Sequence, residues 1–241
     1  MKKILLAVFA IAIIIQANAQ KTKRNNPKAL NNTVLKNEID SFSYVLGMSI
    51  AQSLKNNGVT KVNNELFAKA MNEIFTNTTT ILTTEMANAL LQQKLQAFTQ
   101  RKKDLQILEG KNFLFINGKR PNVITLPNGL QYEIIVAGNP NNPKPKITDT
   151  VIVNYAGTLV NGTEFENSFK NGGPVTFPLN GVIKGWGQIL QLMPKGATWN
   201  VYIPSELAYG ENPPSYNIPQ NATLIFKIAL IDIKAAFNSD K

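Results

Sequence analysis

Residues 181–196 read GVIKGWGQILQLMPKG, so that Trp186 stands between Gly185 and Gly187 and closely follows the apolar pair Val182 and Ile183. Trp186, Leu190 and Met193 share one face of a short helix. Two readings of the tryptophan compete. It is an ordinary core residue at the start of that helix, or it is the floor of a pocket whose approach the glycines keep clear. The flanks set the fold around it. Upstream, TVIVNYAGTL (150–159) alternates, with Val151, Val153 and Tyr155 on one face, and Asn161-Gly162 is a hairpin signal. Downstream, ATWNVYIP (197–204) alternates Ala197, Trp199, Val201 and Ile203, and TLIFKIALIDI (223–233) alternates Leu224, Phe226, Ile228 and Leu230. One short helix among period-two segments predicts a compact antiparallel β-sheet packed on that helix.

The chain before this region has a helical period. In NEIDSFSYVLGMSIAQSLKNNG (37–58), Ile39, Phe42, Leu46, Ile50 and Leu54 recur at three- and four-residue steps, and Gly58 fits a stop. NNELFAKAMNEIFTN (63–77) repeats the pattern through Leu66, Phe67, Ala70, Met71, Ile74 and Phe75. A third helix starts near Thr83, a suitable N-cap, and carries Met86, Leu90, Leu95 and Phe98, then Leu105 and Leu108 among charges. It is expected to run about 30 residues, roughly 45 Å, and to stand out as a strut, its second half being too polar for a core. Three helices make a thin core, which a second copy of the chain would help to complete. Pro121, Pro127, Asn128-Gly129 and the prolines at 140, 143 and 145 then break the helical pattern. The fold class is α+β, an all-α domain ending in a long helix and then the sheet.

At the N-terminus, Lys2 and Lys3 precede the apolar run Ile4–Ile15 and the small-x-small site Ala17-Asn18-Ala19. This is the pattern of a secretory signal peptide over 1–19, cleaved near Ala19-Gln20. The run is too short for a stable membrane anchor. A polar, basic lead-in over 20–36 follows, then a helical domain over 37–117 and the sheet domain over 122–235. The expected mature protein is exported, to the periplasm or in association with the outer membrane.

Composition narrows the chemistry. Hydrophobic residues form 44% of the 241-residue chain and charged residues 17%, a globular profile. With neither cysteine nor histidine in the sequence, disulfides, thiol catalysis and Ser-His chemistry are excluded. No cofactor or metal site is expected. The formal net charge is +10, or +8 without Lys2 and Lys3. The lysines are scattered, and the densest cluster, Arg101–Lys103, lies beside Asp104. A solvated helix face is the first reading of that cluster and weak attraction to anionic membrane surfaces the second, and nucleic acid is not an expected partner.

Four motifs in order, VIVNYAGTLVNGTEFENSF (151–169), VIKGWGQILQLMPKG (182–196), YIPSELAYGE (202–211) and NIPQNATLIFKIALIDI (217–233), closely resemble the FKBP-type peptidyl-prolyl cis-trans isomerases. The resemblance begins at VITLPNGLQY (123–132). FSYVLGMSIAQSLKNNG (42–58), with the long helix after it, is similar to the amino-terminal domain of the macrophage infectivity potentiator and FkpA-like branch, exported bacterial proteins that dimerise through interleaved helices.

The resemblance implies a prolyl isomerase assisting the folding of exported proteins, acting on proline-containing unfolded polypeptides as a homodimer. Rotation about an X-Pro bond needs no nucleophile. It needs a site that favours the twisted amide, whose charge separation is smaller than that of the planar ground state. By the same resemblance Trp186 is the floor under the proline ring and Val182 and Ile183 form a wall, the Ile183 N–H reaching a substrate carbonyl. Tyr155, Phe165 and Phe226 complete the aromatic lining. Tyr209 points its hydroxyl at the substrate, and Ile218 comes from an overhanging loop. Each of these has a plainer reading as core or edge. Tyr155, Glu166 and Tyr209 are the candidate catalytic groups.

Three positions depart from the family pattern. Glu166 replaces the usual aspartate, Val175, a further substrate-binding position, stands where many members have an aromatic and makes that wall of the pocket smaller, and Asn171 stands where some have arginine. These departures bear on rate and on binding of rapamycin-type macrolides. The alternative reading is a dimeric periplasmic chaperone that holds unfolded chains, with isomerisation secondary.

Overall fold

The computed structural model describes residues 35–236. The expected signal peptide over 1–19 and most of the expected lead-in therefore lie outside the described residues. The chain divides into two compact units, one ending at Ala51 and one beginning at Gln52. The three expected helices are α1 (Glu38–Asn56), α2 (Asn64–Phe75) and α3 (Thr84–Asn117). Local chemistry sets their ends. Gly58, at φ +82°, closes the end of α1, where the Val59 N–H donates to Leu54 O at 2.9 Å. Asn63 Oδ1 caps α2 by accepting from the Glu65 and Leu66 N–H groups at 3.0 and 3.1 Å, and the Thr83 hydroxyl caps α3 through Met86 N–H at 3.3 Å. Among the described residues no helix is long and apolar enough to cross a membrane.

From Val123 on, the chain forms β1 (Val123–Thr125), β2 (Gln131–Val136), β3 (Thr150–Leu159), β4 (Glu164–Asn167), β5 (Val175–Pro178), α4 (Lys184–Leu190), β6 (Thr198–Ile203) and β7 (Leu224–Lys234). The strands make one sheet in the order β1-β2-β6-β7-β3-β4, with β5 also paired to β3. Every pairing is antiparallel. β3 and β7 form its spine and β3 alternates strictly, with Val151, Val153, Tyr155 and Leu159 buried toward α4. Asn161-Gly162 turns β3 into β4 with Gly162 at φ +84°. Val151, Val153, Ile189, Leu190, Met193, Val201, Leu224, Ile228 and Leu230 are all at 0% exposure. Each such buried aliphatic side chain contributes about 1.5–3 kcal/mol, so the helix-on-sheet contact holds this domain together.

The second half of α3 does not stand free as a strut. It docks on the sheet through close backbone approach, polar groups and the Phe113 ring, whose centroid lies 5.9 Å from that of Tyr202. A Cβ built at Gly110 would lie 2.3 Å from Thr223 Oγ1, so the helix touches the sheet domain where only glycine fits. At its end Asn117 Nδ2 donates to Gln131 Oε1 at 2.9 Å, and Gln131 Nε2 donates to Leu114 O at 2.8 Å. Just beyond, Arg120 donates to Asn117 Oδ1, the Tyr202 hydroxyl and both Glu133 oxygens at 2.8–3.0 Å. The polar and glycine contacts of this joint leave no mark on the apolar period, because none of them needs an apolar residue. Near the middle of α3, Lys102 Nζ donates to Asn56 O at 2.9 Å, pinning the last turn of α1 to the long helix.

Candidate active site

α4 packs its first turn on β6. A Cβ built at Gly185 would lie 2.5 Å from Ile203 Cγ2, whereas one at Gly187 would meet nothing nearer than Ile147 Cδ1 at 3.6 Å. Gly185 therefore serves close helix–sheet packing, and Gly187 is not sterically required. Neither is needed to clear an approach to the indole. That close packing seats Trp186 inside a group of rings. Its ring centroid lies 5.0 Å from Tyr155, 5.2 Å from Phe226 and 5.7 Å from Phe177, at interplanar angles of 82–89°. Phe165 stands edge-on to Phe226 at 5.6 Å. Edge-to-face pairs of this kind add about 0.5–1.5 kcal/mol beyond their buried area.

The two readings of Trp186 meet here. At 4% exposure it is a core residue by burial, as are Tyr155 and Phe226 at 5% and 3%. All ten candidate residues gather at this point. Trp186, Tyr155, Phe226 and Ile218 belong to the buried cluster, and the half-buried Phe165, Val175, Val182, Ile183 and Tyr209 pack around it. Glu166 joins through its side chain. A buried aromatic base with a half-exposed apolar rim is thus present. The Trp186 Nε1–H, though buried, has no hydrogen-bond partner among the described residues.

Two features escaped the sequence reading. Phe177, two residues along β5 from Val175 and on the same face, supplies the aromatic contact to Trp186 and Tyr155 on that side. The alternation of VTFP was a usable signal for it. Gly157 is the second, since a Cβ there would lie 2.6 Å from the Phe165 ring and 2.8 Å from the Phe226 ring. Only a residue without a side chain lets those two rings meet over β3. Asn171 takes no part in the cluster. It lies exposed in the turn after β4, before Gly172 and Gly173, which are at φ +108° and +91°.

The polar groups sit at the rim. The Tyr155 hydroxyl donates to Glu166 Oε1, so the longer glutamate still reaches the tyrosine. Burial, with help from the Glu166 hydrogen bond and charge, pushes the Tyr155 hydroxyl pKa far above the usual tyrosine range. Burial and the Glu166 charge raise that of Tyr209 as well, yet the Tyr209 hydroxyl makes no hydrogen bond among the described residues. One tyrosine has its proton committed to a carboxylate, and the other has a proton to offer. β4 is held beside β3 by Ser168, whose Oγ accepts from Tyr155 N–H at 2.8 Å and donates to Asn154 Oδ1 at 3.1 Å. Ile183 precedes α4, and its N–H makes no hydrogen bond among the described residues.

Two family profiles match the chain. FKBP-type peptidyl-prolyl cis-trans isomerase covers residues 141–231, and the domain amino terminal to FKBP-type peptidyl-prolyl isomerase covers 39–134. The outer membrane protein MIP of Legionella longbeachae is 49% identical over 128 residues, 53% of this chain and 54% of that protein. The FKBP-type peptidyl-prolyl cis-trans isomerase FkpA of Escherichia coli K12 is 42% identical over 132 residues, 55% of this chain and 48% of its own length. These alignments span about half the length of the curated relatives. The crystal structure of FkpA from Escherichia coli superposes with a TM-score of 0.63 at 32% identity, covering 84% of this chain and 100% of that one.

Proposed function

The chain belongs to the FKBP-type peptidyl-prolyl cis-trans isomerase family, and on that premise we propose that it accelerates rotation about X-Pro bonds in polypeptides. The observation that carries this reading is the ring cluster of Tyr155, Phe177 and Phe226 around Trp186, with the uncommitted Tyr209 hydroxyl and Ile183 N–H at its edge. The uncatalysed barrier is about 18–20 kcal/mol because resonance favours the planar, charge-separated amide. A proline ring lodged against this apolar rim takes its imide out of water. That destabilises the planar form more than the twisted one. The Ile183 N–H and Tyr209 hydroxyl then hold carbonyls of the flanking chain, so the rotation occurs about a fixed frame. The Tyr155–Glu166 bond fixes the wall and keeps the Tyr155 proton away from the substrate. The reaction is a rotation, and no bond forms or breaks.

Export to the periplasm, or association with the outer membrane, is part of the proposal. It rests on the signal-peptide pattern over 1–19 and on a relative named as an outer membrane protein. Homodimerisation through the helical region is a further part. Ile39, Phe42, Phe75 and Met86 are 57–76% exposed in the single chain, more apolar surface than scattered residues explain. The test is isomerisation of a short X-Pro peptide by wild type, Trp186→Ala and Tyr209→Phe, with circular dichroism confirming the fold. Wild-type acceleration that drops about tenfold or more in each variant, a loss of about 1.4 kcal/mol of transition-state stabilisation, supports the reading. An uncatalysed rate for folded wild type refutes it and leaves the chaperone alternative.

A further inference from the structure

A second cleft, of about 950 Å³, lies between α3 and the loop 211–220, apart from the ring cluster. Three features of its construction bear on what it holds. It is framed by polar contacts. Lys103 Nζ pairs with Glu211 Oε2 at 3.4 Å across it, Lys102 Nζ holds the Asn56 carbonyl at 2.9 Å, and the Asn221 N–H donates to Gly210 O at 2.7 Å to close the base of the loop. Its lining is rich in neutral polar groups, Thr99 and Gln106 on the helix and Asn212 and Gln220 on the loop. The Asn212 and Gln220 carboxamides and the Thr99 hydroxyl make no hydrogen bond among the described residues. Each carboxamide offers both a donor and an acceptor, which suits peptide N–H and C=O groups whatever the side chains attached to them. The cleft also borders the ring cluster through one residue. Ile218 lines it and is at the same time buried, at 6% exposure, in the cluster that holds Trp186 and Phe226. The loop is therefore a wall shared by both sites.

We propose that this cleft is a subsite for extended polypeptide, holding the chain that flanks the proline through its backbone. The proposal rests on the isomerase reading and names what the enzyme binds beyond the X-Pro pair. An extended chain in water needs partners for its backbone groups when it leaves solvent, and a cleft of uncommitted carboxamides supplies them without selecting sequence. Substrate preference then follows chain length more than the residues around the proline.

The test compares an X-Pro tetrapeptide with two longer peptides, extended at one end or the other by about eight residues, roughly 26–29 Å of chain. Enzymes are the full-length wild type, Gln106→Trp, which fills the cleft from the helix, and Gln220→Ala. The expected result is a kcat/KM about fivefold higher for one extended peptide than for the tetrapeptide, a gain abolished by Gln106→Trp and reduced by Gln220→Ala while tetrapeptide turnover stays unchanged. Equal kcat/KM for all three peptides in wild type overturns the subsite and leaves the isomerase reading standing. So does a gain that survives Gln106→Trp. If wild type does not isomerise the tetrapeptide, the isomerase reading fails, and the subsite is judged by fluorescence anisotropy of the extended peptides with alanine in place of proline. Binding that Gln106→Trp weakens at least about fivefold upholds the subsite, and binding that is absent or unaltered overturns it.

Discussion

Replacing Gly185 and Gly187 separately by alanine separates two residues that look equivalent beside Trp186. In a helix the change alone favours the fold by about 0.5–1 kcal/mol, because alanine loses less backbone freedom. At Gly187 the new methyl meets its nearest neighbour at 3.6 Å, ordinary contact, so the variant is expected to be stabilised by about that amount. At Gly185 the methyl lies 2.5 Å from Ile203 Cγ2, about 1 Å inside the optimal carbon–carbon separation. Ile203 is fully buried in β6 and has no open space to turn into. Overpacking of this kind costs about 1–3 kcal/mol, which outweighs the helix gain. The two variants should therefore differ by about 1–3 kcal/mol in opposite directions, read as urea midpoints at constant slope. Since α4 must shift to relieve Gly185→Ala, and Trp186 is the next residue, peptide isomerisation should fall in that variant and persist in Gly187→Ala. Equal stability of the two variants would refute the argument that α4 is seated by its contact with Ile203.

Gly157→Ala forces the Phe165 and Phe226 rings apart and should destabilise by about 1–3 kcal/mol while lowering isomerisation further than stability alone explains; urea unfolding and the peptide assay in parallel check it. The difference absorbance between wild type and Tyr155→Phe should show phenolate only above the ordinary tyrosine range, about pH 10, because a raised folded pKa means the Tyr155–Glu166 bond contributes fully below the unfolded value and is lost as pH rises through the folded one. Glu133 is burdened by desolvation, but its hydrogen bonds from Tyr202 and Arg120 prevail and hold its pKa below the usual range. The Glu133 pair thus contributes above the unfolded value of about 4.3 and is lost as pH falls through the lower folded one, so urea midpoints should drop below about pH 5, and less so in Glu133→Gln. Phe75→Asp, placing a charge in an exposed apolar face, should convert a sedimenting dimer to monomer; a variant that still sediments as a dimer removes α2 from the interface.

The sequence by itself determined the elements and their order. Period-two runs gave β3, β6 and β7, the three-and-four spacing gave α1 to α4, and the Thr83 cap with Gly58 marked ends, because these signals depend on neighbours along the chain. It also gathered the ten candidate residues, since motif order carries their joint placement. Only the tertiary structure decided what distant residues require of each other. Phe177 replaces the aromatic missing at Val175, and Gly157 and Gly185 are glycines because Phe165, Phe226 and Ile203 occupy the space a methyl would need. The seating of α3 on the sheet rests on Gly110, Asn117 and Arg120, scattered polar or small residues, together with Phe113 against Tyr202, all with partners on other elements. Close packing and polar docking are relations between surfaces that come together on folding, so no local period records them.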